Sequence, residues 1–354
     1  MGLGGVAIAV LPYVIHPKTA VLGRAGGGKQ LWLDQARAIA IISMVLCHTN
    51  DILGCNYSVY KWVGIFFMPL FFFVSGCLSK DDMTLRQLLN RLIGRLLIPY
   101  FVWGIIMQMC INNAFIHACI QGNQEVIHKN ISEIIMGDYL WYVPCLVCIE
   151  CMNFIIMKLC KLFHDKWIIR MVVILSAFAY LMMMSREHLP WHLDTAFASM
   201  GFYLMGFFYF RHGKYVKSAL ASVLIAGMFF ALALYERQEG IVFDIHQHIL
   251  THPLLICASA IVGVFVSINF CCNINMGKMM SIIGTNSLFI YIFHYKVLCL
   301  LKPIVNKIMA MAGFDMSIVM IPLMVIISIS VCNLLIKPIN KYAPIIIGNK
   351  KLNL

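Results

Sequence analysis

The sequence predicts an all-α integral membrane protein with about ten transmembrane helices and both termini in the cytoplasm. The first observation is composition: 61% of the 354 residues are hydrophobic and only 12% are charged, with a mean hydropathy of +0.85. Soluble domains are nearer half apolar and a quarter charged. The second and third observations are recurring apolar runs of membrane-spanning length and a regular alternation of basic residues between the loops.

The apolar runs divide the chain into one membrane domain with two short flanks. A helix needs about 20 apolar residues to cross the hydrocarbon layer, so the domain at 31–340 has room for ten spans. Residues 1–30 are interpreted as a cytoplasmic or interfacial leader, and 341–354 as a cytoplasmic tail. The spans are expected at 33–49, 62–78, 96–113, 139–157, 168–184, 196–210, 218–235, 253–269, 285–301 and 317–336.

The distribution of lysine and arginine indicates the orientation. With the N-terminus placed inside, 20 of the 27 basic residues fall on the inner side, six fall in outer loops, and Lys296 lies within a span. An excess of basic residues on the cytoplasmic side is the usual determinant of topology. An added or missing helix would destroy the alternation, so the count also favours ten spans.

Two function classes are excluded by where charge and cysteine occur. The net charge of +12 is spread over short clusters, and no basic tract with interleaved aromatics indicates nucleic-acid binding. The 14 cysteines lie mostly in apolar runs and are not spaced like a disulfide framework. No metal site is predicted, because His246, His248 and His252 lack cysteines or carboxylates in register.

The first predicted span carries an unusual set of ionisable residues, Asp34, Arg37 and His48. Arg37 and His48 are eleven residues apart, which is about 20° beyond three full turns, so they share one helix face about 16 Å apart. Asp34 precedes Arg37 by three residues and is positioned to pair with it. Ionisable groups in spans are functional candidates. The alternative is that Arg37 snorkels to the inner headgroups and His48 lies at the outer interface.

Other polar residues give weaker indications. Arg91 and Arg95 lie in a short basic helix before the third span and suit either an anion site or topology and lipid contact. Trp141 and Tyr142 open the fourth span, where an aromatic belt explains them. His294 lies in the middle of the ninth span, a depth that a belt residue does not explain.

These residues resemble the opening of the acyltransferase 3 family of membrane O-acyltransferases, in its branch similar to fucose 4-O-acetylases. The pattern is Asp34-x-x-Arg37 followed after ten residues by His48, and the resemblance extends over about 31–340. The further similar segments are MPLFFFVSG, RLLIPYFVW, LWYVPCL, GFYLMGFFY and SLFIYIFH. The leader has no counterpart in the family.

The resemblance implies acyl transfer, usually of acetyl from acetyl-CoA as co-substrate, with no bound cofactor. The acceptor would be a hydroxyl of an envelope glycan or a lipid-linked sugar, at a bacterial inner membrane. Arg37 and His48 would be the essential pair, and Arg95 would match the second arginine of a paired motif. The first arginine of that motif would fall at Leu92, and the nearest arginine is Arg91.

These expectations combine into one mechanism for acyl transfer. Asp34 would orient Arg37, and Arg37, Arg91 and Arg95 would hold the phosphates of the acyl-CoA. His48 would act as general base on the acceptor hydroxyl, or as the site of an acyl-imidazole intermediate.

Three further residues are assigned to supporting roles, and one rival function is kept. His294 would support the oxyanion or the acceptor, and Trp141 and Tyr142 are further candidates for acceptor support. The rival is a polytopic transporter or flippase for a polar or lipid-linked substrate, although no inverted repeat of the kind common in transporters is apparent.

Overall fold

A computed structural model describes residues 31–55, 58–80, 82–163, 166–183, 188–212, 219–238, 243–245, 247–312 and 316–348. The expected leader, 1–30, and residues 349–354 of the expected tail lie outside these described residues. The described chain is helical apart from one small antiparallel hairpin, β1 (Phe243–Asp244) and β2 (Ile249–Leu250). The all-α fold class is therefore confirmed.

Fourteen α-helices are found in the described residues. In chain order they are α1 (Leu31–Ile52), α2 (Ser58–Cys77), α3 (Leu85–Leu92), α4 (Ile98–Ile105), α5 (Asn113–Gln121), α6 (Gln124–Met136), α7 (Tyr142–Leu162), α8 (Lys166–Met182), α9 (Leu193–His212), α10 (Ala219–Gln238), α11 (Pro253–Asn273), α12 (Gly277–Thr285), α13 (Ser287–Ala312) and α14 (Ser317–Tyr342). One π-helical turn, Ile93–Leu97, joins α3 to α4, and a second, Ile106–Cys110, follows α4. Together these segments form one continuous helix, Leu85–Cys110.

Six of these helices are long and apolar enough to cross a membrane. They are Leu31–Ile52, Leu85–Cys110, Tyr142–Leu162, Pro253–Asn273, Ser287–Ala312 and Ser317–Tyr342. Each of the ten expected spans overlaps a helix. Four of these helices, α2, α8, α9 and α10, do not meet the same criteria of length and hydropathy over their described residues. The count of ten and the cytoplasmic placement of both termini stay predictions.

Helix α1 is the central helix of the bundle, and it packs against α2, α11, α12, α13 and α14. Glycines make two of the tight contacts between helices, one between α12 and α1 and one between α9 and α2. A Cβ at Gly284 of α12 would lie 1.7 Å from the backbone oxygen of Asp34, and a Cβ at Gly206 of α9 would lie 1.9 Å from that of Phe73 in α2. Glycine permits this close approach of helix backbones in membrane bundles. The polar start of α1 is therefore held directly against α12.

The segment between α4 and α7 folds back into the bundle. Helix α6 runs antiparallel beside the Leu85–Cys110 helix, where Gln108 Nε2 donates to Glu133 Oε2 at 2.7 Å. Further along, Tyr100 Oη donates to the backbone oxygen of Ile134 at 2.6 Å. The turn after α6 leads into α7, and Tyr142 at the start of α7 is buried.

Candidate active site

The expected pairing of Asp34 with Arg37 is present at the start of α1. Arg37 Nη1 donates to Asp34 Oδ1 at 3.1 Å. The second carboxylate oxygen of Asp34 accepts from Ser281 Oγ at 3.3 Å, and the close approach of Gly284 keeps α12 against this turn. The carboxylate is buried, whereas the Arg37 side chain is 25% exposed. Asp34 therefore ties the two helices together and orients the guanidinium.

Arg37 lies in the wall of a narrow cavity, here called the Arg37 cavity, with a volume of about 110 Å³. Its lining is mostly apolar and comes from α1, α2, α7, α13 and the turn before α4. The lining residues are Arg37, Met44, Met68, Phe71, Val74, Ser75, Leu96, Tyr142, Leu146, Ser287, Leu288 and Tyr291. On α1 the cavity extends from Arg37 to Met44, which lies four residues, about one helical turn, before His48. The cavity therefore occupies the helix face that carries Arg37 and His48.

His48 of α1 and His294 of α13 form a histidine pair, with ring centroids 5.3 Å apart. His294 is buried, and its Nδ1 lies 3.0 Å from the backbone oxygen of Ile290 and 2.9 Å from that of Tyr291. Carbonyl oxygens only accept, so Nδ1 of His294 carries the proton. In a neutral ring Nε2 then carries a lone pair and can only accept, and it has no hydrogen-bond partner among the described residues.

A row of aromatic contacts connects the histidine pair with the start of α7. The ring centroids of His294 and Tyr291 are 6.5 Å apart, those of Tyr291 and Tyr142 are 5.7 Å apart, and those of Tyr142 and Trp141 are 6.4 Å apart. The Tyr142 backbone N–H also donates to Tyr291 Oη at 3.2 Å. Four residues singled out from the sequence (His48, His294, Tyr142 and Trp141) thus lie along one path.

At the Trp141 end of this path lies a larger cavity, here called the Asp138 cavity, with a volume of about 600 Å³. Its lining residues are Glu133, Met136, Asp138, Tyr139, Leu140, His188, Leu189, Pro190 and His192. The ring of Trp141 packs on that of His192 at 5.6 Å, and His192 Nε2 lies 3.4 Å from Asp138 Oδ1. The cavity therefore offers two carboxylates and two imidazoles beside an aromatic ring.

The backbone around this cavity is strained. Leu140, Trp191 and His192 have φ angles of 53°, 61° and 52°, in the left-handed region that non-glycine residues rarely adopt. Such strain persists only where the surrounding structure imposes it, and it concentrates at functional sites. Trp191 is fixed by its Nε1, which donates to the backbone oxygen of Ile135 at 2.9 Å.

The other two expected arginines do not line the Arg37 cavity. Arg91 Nη2 lies 2.7 Å from Glu150 Oε1, and the Glu150 side chain is only 1% exposed. Arg95 is exposed on the first π-helical turn. The structure therefore brings Arg37, which is paired with Asp34, and Tyr142 to one cavity and His48 and His294 to one pair. It places Arg91 in an ion pair that links α3 to α7.

Comparison with known families gives one match over most of the chain. Residues 30–337 match a family described as an acyltransferase domain, Acyl_transf_3. The chain belongs to the acyltransferase 3 family. No curated protein and no solved structure matches it. As a member of this family the protein is a membrane acyltransferase, and the matched region begins immediately before α1 and ends within α14, so it contains both cavities and the histidine pair.

Two residues of this region were not singled out from the sequence. Glu150, in the run LVCIECMNF, is a carboxylate inside an apolar helix, and its position alone was a signal of function or pairing. Tyr291, which lines the Arg37 cavity and adjoins His294, carried no such signal, because an aromatic residue in an apolar run is ordinary.

Proposed function

We propose that the protein transfers an acyl group, with acetyl as the expected donor group, from acyl-CoA to a hydroxyl of a glycan or lipid-linked sugar. The main support is the contact between His48 and His294, which lies along the same face of α1 as the Arg37 cavity and about one helical turn beyond its lining residue Met44. Family membership supplies acyl transfer. The donor, the acceptor and the residue roles are our proposal.

Arg37 binds the phosphates of the acyl-CoA. Asp34 occupies one of its N–H groups, and the remaining N–H donors of the guanidinium suit phosphate oxygens. Arg95, exposed on a neighbouring helix, adds positive charge for a polyanionic donor. Arg91 was expected to share this role, but its contact with Glu150 supports a different one, the neutralisation of a buried carboxylate.

The acyl arm extends from Arg37 along the α1 face towards His48, which is about 16 Å further along the helix. The mostly apolar lining of the Arg37 cavity suits a pantetheine chain, and Ser75 and Tyr142, whose hydroxyl oxygens are 3.4 Å apart, offer polar contacts to its amides. On the proposed orientation the Arg37 end faces the cytoplasm, where acyl-CoA is made, and the His48 end faces the acceptor.

His48 acts as the general base. Its unprotonated nitrogen removes the proton from the acceptor hydroxyl while the hydroxyl oxygen attacks the thioester carbonyl. The C–S bond then breaks, the CoA thiolate leaves, and the imidazolium returns the proton to the sulfur. Protons and electrons balance without any metal or redox partner.

His294 orients His48 rather than stabilising the oxyanion. Neutral His294 donates from Nδ1 to backbone carbonyls, so its Nε2 is an acceptor and has no proton for an oxyanion. It can accept the N–H of His48, which fixes the tautomer and leaves the other nitrogen of His48 as base. The expected oxyanion role is therefore replaced by a positioning role.

The Asp138 cavity binds the acceptor. Carboxylates and imidazoles suit the hydroxyl groups of a sugar, and the Trp141 ring adjoins the cavity wall. The row of rings from Trp141 to His294 connects this cavity with the histidine pair.

The test uses purified protein in lipid nanodiscs with acetyl-labelled acetyl-CoA and a panel of envelope glycans and lipid-linked sugars. Wild-type protein is expected to release CoA and to place label on an acceptor, whereas His48→Ala does neither. His128→Ala is a matched control, because His128 is exposed on α6 away from both cavities. Normal turnover by His48→Ala would overturn the assignment. In closed proteoliposomes, uptake of a sugar without covalent label would favour the transporter.

A further inference from the structure

We propose that the loop before α9 and the β1–β2 hairpin together form a zinc site with His188, Asp194 and His248 as ligands. The ligand atoms are His188 Nδ1, Asp194 Oδ2 and His248 Nε2, which all lie within 4.8 Å of one another. The site is separate from the histidine pair, and the proposal does not depend on acyl transfer.

The distances fit tetrahedral zinc. Bonds of about 2.0 to 2.2 Å to nitrogen and oxygen place neighbouring ligand atoms about 3.3 to 3.6 Å apart. Asp194 Oδ2 lies 3.3 Å from His248 Nε2 and 3.7 Å from His188 Nδ1. A zinc ion between the three atoms therefore requires only small side-chain movements.

The Asp194 carboxylate is a second, independent indication of a cation. Its side chain is 2% exposed, and neither of its oxygens accepts a hydrogen bond from the described residues. A buried carboxylate without compensation is costly. A dication beside Oδ2 removes that cost and lowers the cost of burying His248, whose side chain is 1% exposed.

The ligand types select zinc over the common alkaline-earth ions. Two imidazoles and one carboxylate are typical zinc ligands, whereas magnesium and calcium prefer oxygen throughout. Three protein ligands leave a fourth position for water. The side chain of His188 is 31% exposed, which gives the ion a path into the site, and Thr195 Oγ1, 2.9 Å from His248 Nε2, lies beside the ligand shell.

The local structure shows what the ion holds together. Asp194 is in the first turn of α9, His188 precedes that helix, and His248 lies in the hairpin turn with a φ angle of 54°. Zinc therefore fastens the hairpin to the end of α9. His188 also lines the Asp138 cavity, so the ion fixes one wall of that cavity. The sequence did not show this set, because His188 and Asp194 are more than fifty residues from His248 and only the fold brings the three together.

The experiment measures zinc directly. Protein purified without a histidine tag is treated with N-ethylmaleimide, because exposed thiols at Cys110, Cys119 and Cys299 also bind zinc. It is then stripped with chelator, titrated with zinc against a chromophoric chelator, and melted with and without zinc. One tight zinc per chain and a raised Tm are expected.

The variants are Asp194→Asn and His188→Ala. His252→Ala is the matched control, because His252 is an exposed histidine between β2 and α11 and is not one of the three ligands. Loss of a ligand is expected to raise the zinc Kd at least about tenfold and to abolish the zinc-dependent rise in Tm, while His252→Ala leaves both unchanged. Each variant is first checked for a monodisperse gel-filtration peak, and His188→Ala tests the proposal if the buried Asp194→Asn misfolds. Equal zinc affinity in wild type and His188→Ala, or no zinc above background in wild type, would overturn it.

Discussion

The imidazoles of His48 and His294 face each other across the α1–α13 contact, with their ring centroids 5.3 Å apart. The proton of His294 is fixed on Nδ1 by the backbone oxygens of Ile290 and Tyr291. In our proposal the two histidines have different roles: His48 exchanges a proton with the acceptor, and Nε2 of His294 accepts the N–H of His48 and holds that ring in place.

The first prediction separates these roles by kinetics. His48→Ala is expected to lower kcat about 100- to 10,000-fold, the usual contribution of a general base. His294→Ala is expected to lower kcat less and to leave the KM for acyl-CoA unchanged. The double variant should be no slower than His48→Ala, because residues that act as a unit are not additive.

The pH profile of kcat provides the control for that prediction. His294→Ala should shift the limb that reports His48, because the orienting partner is gone, whereas a merely structural effect would scale the whole profile. The opposite result, in which His294→Ala is inactive and His48→Ala retains part of the activity, would make His294 the base.

The helices and the first half of the site could be predicted from sequence because both are local. Apolar runs of spanning length predict helices wherever they occur, and the spacing of Asp34, Arg37 and His48 follows from helix geometry alone. The ion pair between Asp34 and Arg37 joins residues three positions apart on one helix, and the structure contains it as expected.

The remaining contacts of the site join helices that are far apart in the sequence, and the hydrophobic periodicity of each helix does not encode such contacts. The partner of His48 is on α13, that of Arg91 is Glu150 on α7, and the ring of Tyr142 meets that of Tyr291 on α13. The arginines before α4 were assigned together because they are close in sequence, whereas the helix places them on different sides.

The second prediction concerns the donor. Arg37→Ala is expected to raise the KM for acetyl-CoA about ten- to 150-fold, the equivalent of about 1.5 to 3 kcal/mol for a hydrogen bond to a charged group. With acetyl-pantetheine, which lacks the nucleotide phosphates, wild type and Arg37→Ala should have similar KM values. The measurement is steady-state CoA or pantetheine release for both donors.

Arg86→Ala is the matched control for the second prediction, since Arg86 is an exposed arginine on α3 outside the Arg37 cavity. It should leave both KM values unchanged. If Arg37→Ala impaired the two donors equally, Arg37 would act on the acyl group or on folding rather than on phosphate.

The third prediction distinguishes structural and donor-binding roles for Arg91. Arg91→Met leaves Glu150 buried without its partner, so the Tm should fall markedly. The double variant Arg91→Met with Glu150→Met should recover much of the Tm, because two apolar side chains replace the pair. The KM for acetyl-CoA in the double variant should remain close to that of wild type.

If that double variant recovered the Tm but had a raised KM for acetyl-CoA, Arg91 would instead bind the phosphates of the donor. The comparison is informative because stability and donor affinity are measured on the same sample, by thermal melting in detergent and by initial rates.

The fourth prediction tests whether the α1–α12 contact positions Arg37. In Gly284→Ala the new Cβ would lie 1.7 Å from the backbone oxygen of Asp34, so α12 must move away and the Ser281–Asp34 hydrogen bond is lost. Overpacking of this kind costs about 1 to 3 kcal/mol, and the expected results are a lower Tm and a raised KM for acetyl-CoA. Gly227→Ala on α10 is the control, because its Cβ would meet nothing within 4 Å. A lower Tm with an unchanged KM would show that α12 stabilises the bundle without positioning the guanidinium.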